Sequence, residues 1–212
     1  MTLVIGITGG IASGKSTLTK RLKTKGYPTH DSDEEVNNLY NKPKDEFLVY
    51  LKKIGLGKSI KNKKINKKTI SNIIFDNQTI KTKLEAYVFK IVRAKRSKFI
   101  KKHKKLKTKL IFIDVPLLFE NNLDNLFDKI ICVISKRSFR LHRLKKIKKI
   151  NEIFFKKVLK FQTTDTIRKK RSDIIMYNNL SKKIFYKNIE KKLKEIHFER
   201  SGNWYWDNRP KL

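Results

Sequence analysis

The sequence predicts an α/β fold, a P-loop-type architecture with a five-stranded parallel sheet sandwiched by helices, a helical insertion and a helical lid. Three observations carry this reading. Five short apolar runs, at Leu3–Ile7, Tyr27–Asp31, Lys109–Asp114, Lys129–Ile134 and Asp173–Tyr177, have the near-continuous apolar character of strands covered on both faces. The segments between them suit helices, and alternating strands and helices imply crossover connections and a parallel sheet. A glycine-rich turn joins the first strand to the first helix.

That turn reads Gly9-Gly10-Ile11-Ala12-Ser13-Gly14-Lys15-Ser16-Thr17. A glycine, four residues, then Gly-Lys-Ser is the spacing of a phosphate-binding loop, here in its confirming context of strand, turn and helix. Glycines let the backbone curl so that successive N–H groups face one hollow at the helix N-terminus, where phosphate oxygens bind. Lys15 would reach the β- and γ-phosphates, and the Ser16 hydroxyl would be a Mg²⁺ ligand. The expected ligand is a nucleoside triphosphate. Ala12, which lacks a glycine's freedom, is tolerable in the loop if its φ is negative.

The helix that opens at Leu18 is expected to end at Gly26, which would cap it before the second strand. About 75 residues then precede the third strand, too many for a simple crossover, so they need a substructure of their own. Helical periodicity runs through Thr69–Phe75 and Gln78–Lys102. Residues 137–165, rich in Lys and Arg, form a second insertion where a kinase places a lid over the phosphates. The organisation read from the chain is one kinase unit. Its nucleotide-binding core is 1–31, 108–136 and 166–197, its acceptor-side insertion 32–107, its lid 137–165 and its aromatic, basic tail 198–212. The runs Lys101–Lys105 and Lys61–Lys68 are read as solvated faces or loops.

Composition sets outer limits. A chain of 212 residues is long enough for a sizeable core. The single cysteine, Cys132, rules out an intramolecular disulfide and a thiol cluster, and its apolar neighbours suggest an inert buried thiol. No apolar run approaches the ~20 residues of a membrane span, and the N-terminus lacks signal-peptide features, so a cytoplasmic protein is expected. The net charge of +34 ordinarily points to nucleic acid. Here the excess is spread along the chain and is mostly Lys, while Arg, the better residue for base and phosphate contacts, is scarce. It is read as compositional drift, without a nucleic-acid partner. A monomer is expected.

Three carboxylates lie where ligands bind α/β sheets, at the carboxyl ends of strands. Asp31 and Asp33 follow the second strand, and strand alternation puts them on one side if the extended conformation continues. Asp33 is assigned as the base for an attacking hydroxyl and Asp31 as a helper near Mg²⁺. The competing reading of either is a helix N-cap, since Glu34 and Glu35 begin a helix-like run. Asp114 ends the third strand in a Walker B arrangement and is a candidate Mg²⁺ ligand. Arg140 and Arg143, three apart on one face of the lid helix, are candidates to meet the transferring phosphates; surface salt bridges are the alternative.

Taken together, Thr8–Thr17, Asp31-Ser32-Asp33 and Pro116-Leu117-Leu118-Phe119-Glu120, in this order and spacing, resemble the dephospho-CoA kinase family. So do Phe75 with Leu84-Glu85, Gln162 with Arg168, and Ser172-Asp173-Ile174-Ile175 with Asn178. The resemblance covers approximately residues 1 to 197. It implies ATP-dependent phosphorylation of the 3′-hydroxyl of the dephospho-CoA ribose, the last step of CoA synthesis, with ATP and Mg²⁺ as cofactors. It also implies that 32–107 binds the CoA substrate. Acceptor contacts would then come from Asp33, Lys67, Arg93, Pro116, Leu117, Leu118 and Glu120, and Asn178 would join Gly9–Thr17 in binding the nucleotide. The sequence departs from the family pattern at Phe89-Lys90, where His-Pro is usual, and at Lys67, where Arg is usual. It departs again at Arg140, a usual Gln, and at Ile147, a usual second lid arginine, near Lys145, Lys146 and Lys148. Lys lacks the planar fork of Arg, so phosphate holding is expected to be weaker. The tail Asn203-Trp204-Tyr205-Trp206 lies outside the resemblance. Two other readings stand beside it: a nucleoside or nucleoside-monophosphate kinase, which shares loop and lid, and a polybasic nucleic-acid binder with a relic P-loop.

Overall fold

The computed structural model describes residues 1–148 and 152–198, and the Trp204–Trp206 tail lies outside them. In chain order the elements are β1 (Leu3–Gly9), α1 (Lys15–Thr24), β2 (Thr29–Asp31), α2 (Ser32–Asn41), α3 (Asp45–Lys53), β3 (Ile60–Lys61), β4 (Lys64–Ile65), α4 (Lys67–Asp76) and α5 (Gln78–Lys105). There follow β5 (Leu110–Asp114), β6 (Lys129–Ile134), α6 (Arg137–Lys148), α7 (Glu152–Lys160), α8 (Asp165–Arg171), β7 (Ile174–Tyr177) and α9 (Lys182–Phe198). The main sheet has five strands in the order β2-β5-β1-β6-β7, with helices between its parallel strands. All five expected apolar runs are its strands. By internal contacts the chain divides into two compact units.

The first unit holds Met1–Gly6, Tyr27–Pro116 and Leu126–Asp128. Parallel pairing of β2 with β5 sets Asp31 opposite Asp114, so two of the candidate carboxylates end neighbouring strands. The rest is the helical insertion, built on Phe47, Leu51, Ile54, Leu56, Ile70 and Leu84. Tyr87 stacks on Phe47 and on Tyr50, with ring centroids 5.5 and 4.0 Å apart. Stacks of this kind add about 0.5–1.5 kcal/mol beyond burial. Asn66 and Asn77 start α4 and α5 by accepting bonds from the first-turn amides of Lys68, Thr69 and Ile80.

One element was not expected. Part of the basic run read as a solvated face or loop is a hairpin, β3 with β4, turned by Asn62 and Lys63 at φ 49° and 58°. Two successive positive φ values match a primed two-residue turn, whose twist suits a hairpin. Ile60 and Ile65 pair across it and pack on the insertion core.

The second unit holds Ile7–Gly26, Leu117–Asn125 and the chain from Lys129 onward. β6 and β7 pair in parallel from Ile131 with Ile174 to Ile134 with Tyr177. At their start, the Asp173 carboxylate accepts a bond from the Ile130 amide at 2.7 Å. α9 buries Phe185, Ile189, Leu193 and Ile196, a helical stripe, and packs on α1 and β7. α1 ends as expected: the Gly26 amide bonds the Lys23 carbonyl, with Gly26 at φ +80°.

Candidate active site: a braced phosphate loop and an acidic helix start

The phosphate loop belongs to the second unit and runs into α1 through Gly14, whose φ of +107° needs glycine. A Cβ there would also lie 2.0 Å from Asn178 Nδ2. Lys15 is half-buried and Ser16 exposed at the first turn of α1, where helix amides have no intrahelical partner. Ala12 differs from expectation. Its φ is +57°, so the loop holds an alanine in the left-handed region instead of at negative φ.

The carbonyl side of this loop is bonded throughout. Arg140 Nε donates to the Ile11 carbonyl at 2.8 Å, and the Ile11 amide donates to Gln162 Oε1 at 3.0 Å. Arg143 Nη1 donates to the carbonyls of Ala12 and Ser13 at 3.0 and 3.2 Å and to Ser135 Oγ at 3.1 Å. Asn178 Nδ2 also donates to the Ser13 carbonyl, at 2.8 Å, while the Asn178 carbonyl accepts from Arg143 Nη2 at 2.7 Å and from Ser135 Oγ at 2.8 Å. Three successive loop carbonyls therefore accept bonds from side chains. The two lid arginines read as phosphate contacts grip the loop backbone from behind, and Asn178 does the same.

An ion-pair chain extends this brace. Asp165 bonds Arg140 Nη1 at 3.3 Å and Arg168 Nη1 at 3.1 Å, and Arg168 Nη2 reaches Glu120 Oε1 at 2.9 Å. The same Glu120 oxygen accepts the Thr163 amide at 2.7 Å. Arg140 and Arg168 are 4 % and 2 % exposed. Burial lowers the Arg140 pKa, with Asp165 opposing the shift, and arginine remains charged throughout. Within the Pro116–Glu120 segment, Leu118 is buried and Leu117 exposed with φ +53°. Cys132 is fully buried, its pKa pushed up to about 11 by desolvation, and is inert as expected.

The acidic residues belong to the first unit. The chain does not stay extended after β2 but turns directly into α2 at Ser32, so strand alternation does not relate Asp31 to Asp33. Asp31 is the N-cap, accepting the Glu34 amide at 3.1 Å, and Asp33 lies exposed in the first helical turn. Asp114 is 1 % exposed. Lys67 Nζ lies 3.5 Å from Asn37 Oδ1 and 5.6 Å from the Tyr40 ring centroid, and Arg93 is exposed on α5. Phe89-Lys90 is exposed on the same helix, and the Ile147 side chain lies outside what is described. Sequence reasoning did not find Asp165 or the bracing role of Gln162. Their signal is tertiary, because their partners lie 25 and 151 positions away.

A sequence model of the dephospho-CoA kinase family matches residues 3–183. A dephospho-CoA kinase of Fusobacterium nucleatum is 35% identical over 190 residues, covering 89% of this chain and 96% of that protein. A dephospho-CoA kinase of Geobacillus kaustophilus is 31% identical over 179 residues, covering 84% and 89%. Among solved structures, a dephospho-CoA kinase from Campylobacter jejuni superimposes with a TM-score of 0.72 at 26% identity, covering 94% of this chain and 100% of that one. The family model alone spans most of the sequence, from the start of β1 to the start of α9. This chain belongs to the dephospho-CoA kinase family.

Proposed function

We propose that this chain transfers the γ-phosphoryl group of ATP to the ribose 3′-hydroxyl of dephospho-CoA, giving CoA and ADP. The observation that carries the reading is family membership over residues 3–183, joined to a phosphate loop that leads into a helix N-terminus. The 3′-oxygen attacks the γ-phosphorus and its proton passes to Asp33. The bond from the γ-phosphorus to the bridging oxygen breaks, and ADP leaves. Lys15 and the amides at the start of α1 stabilise charge on the phosphates and hold the reacting group in line. Asp33 suits the base role because its carboxylate lies exposed in the first turn of α2, and Asp31 caps that helix through the Glu34 amide.

The donors proposed for Mg²⁺ suit it by their chemistry. They are hard oxygens: the exposed Ser16 hydroxyl on α1 and the Asp114 carboxylate ending β5. Among the described residues no group of three or more His, Cys, Asp or Glu could hold an ion alone. Phosphate oxygens and water would complete the shell, and the ion would supply charge neutralisation on the β- and γ-phosphates. On the acceptor side, Lys67, Arg93, Pro116, Leu117 and Leu118 are proposed to bind dephospho-CoA. Glu120 is proposed to act through the ion-pair chain it closes. The chain is proposed to act as a cytoplasmic monomer; among the described residues no helix is long and apolar enough to cross a membrane.

The test is an acceptor panel read as ADP release: dephospho-CoA, adenosine, other nucleosides and nucleoside monophosphates. Dephospho-CoA is expected to be turned over fastest. A nucleoside or nucleotide phosphorylated faster would replace it as the acceptor.

A further inference from the structure

Arg140 is a charged residue spent entirely within the protein. It is 4 % exposed, its Nε holds the Ile11 carbonyl, and its Nη1 holds Asp165. Its guanidinium carbon lies 5.5 Å from the centroid of Phe155, a fully buried ring on α7. Its Nη2 is buried without a hydrogen-bond partner, 2.4 Å from where a Cβ on Gly10 would stand. Burying an arginine with one donor unmet costs several kcal/mol unless other contacts offset it. The residues offsetting it come from α7 and α8, and the carbonyl it holds is in the phosphate loop. Gln162, at the far end of the same 137–165 segment, holds the amide of that same residue, Ile11. Both backbone groups of one loop residue are therefore fixed by side chains from the two ends of the lid segment.

We propose that Arg140 is a positioning residue for ATP: with Asp165 it latches the Ile11 carbonyl outward, which keeps the neighbouring loop amides turned toward the phosphates. In a trans peptide the carbonyl and the following N–H point opposite ways. Holding the Ile11 and Ser13 carbonyls outward therefore turns the Ala12 and Gly14 amides inward, while the Ser13 amide closes the loop's own turn on the Gly10 carbonyl. The guanidinium behind the loop also adds fixed positive charge near the phosphates without touching them. A side chain at position 10 would displace the guanidinium, which occupies that space. This role rests on the nucleotide-site reading and concerns how that site is held in shape.

The experiment measures direct binding of ATP in the absence of acceptor, and of dephospho-CoA in the absence of ATP, for the full chain and for Arg140→Gln, Asp165→Asn and the double variant. Circular dichroism and thermal melting confirm that each is folded. Arg140→Gln is expected to weaken ATP binding about tenfold while dephospho-CoA binding changes less than about twofold. Asp165→Asn touches no loop atom, and it is expected to weaken ATP binding in the same direction by a smaller factor. Because the two act through one contact, the double variant should resemble Arg140→Gln alone instead of multiplying the losses. Folded variants with ATP affinity within twofold of the parent would overturn the proposal. So would equal losses for ATP and dephospho-CoA, which would mark Arg140 as a general structural residue. A parent chain that does not bind ATP would instead overturn the nucleotide-site reading itself.

Discussion

Asp33 lies exposed in the first turn of α2, directly after the buried Ser32, while the preceding Asp31 caps the helix. Replacing Asp33 by Asn keeps shape but removes the proton acceptor. Asp33→Asn is expected to bind both substrates normally and to lose about 10²–10⁴-fold in kcat. Lys15→Ala should differ by raising the KM for ATP as well. Normal kcat in Asp33→Asn would move the base role elsewhere. A second residue-scale effect comes from His30, 5 % exposed in the middle of β2 beside the Phe99 ring. Burial lowers its pKa most; Glu35 and Asp31 pull it up, and Arg96 and Lys95 push it down. In the window below roughly pH 6.5 the unfolded chain binds this proton first, so stability falls as pH drops toward the lower folded value. His103 shifts in the same direction, chiefly by burial. Melting from about pH 7.5 to about pH 5.5 should therefore cost the parent more than His30→Leu, which keeps the His103 share. Equal losses would contradict it. Asp31 and Asp114 were readable as strand ends, whereas the helical turn that carries Asp33 was not. Nor was the burial of His30, because its cover comes from a helix some seventy residues on.

At the scale of elements, the phosphate loop shows what a motif conveys and what it omits. Glycine spacing announced the turn, and the turn is there. The sign of φ at Ala12 was not readable, because an alanine ordinarily reports negative φ. Here it lies inside a turn closed by the Ser13 amide on the Gly10 carbonyl and braced by Arg140, Arg143 and Asn178, at a φ of +57°. A left-handed alanine costs roughly 1–2 kcal/mol, partly offset by the extra freedom glycine has when unfolded. Ala12→Gly is thus expected to leave stability unchanged or raise it by up to about 1 kcal/mol in urea unfolding, with ATP binding retained. A loss of about 1 kcal/mol would mean that the alanine is unstrained. The β3–β4 hairpin was missed for a related reason. Two-residue strands carry no alternation, and Asn62-Lys63 lacks the glycine that usually marks a primed turn. The long helices were readable because periodicity accumulates over many residues: α5 begins at Gln78 as expected and runs three residues past the expected Lys102.

At the scale of the whole molecule, the five strands were legible as apolar runs; β1, β5 and β6 are buried almost throughout, while the edge strands β2 and β7 are partly exposed. Their order in the sheet was not legible, because it is set by tertiary pairing. Nor was the division into two compact units. It splits β1 between Gly6 and Ile7, inside an unbroken apolar run that gives no sign of a boundary. The excess charge is likewise silent about function. With 53 Lys and Arg against 19 Asp and Glu it favours acidic ligands in general, and a phosphorylated acceptor is one of many. What singles out one acceptor is family membership, so the account stands or falls on the product. Phosphorus NMR of the purified protein with ATP, Mg²⁺ and dephospho-CoA reads it directly. The account predicts a new phosphomonoester signal on the ribose 3′-oxygen, growing as ADP appears and absent with Lys15→Ala. ATP consumption without that signal, or no consumption when a related active enzyme responds under the same conditions, would contradict it.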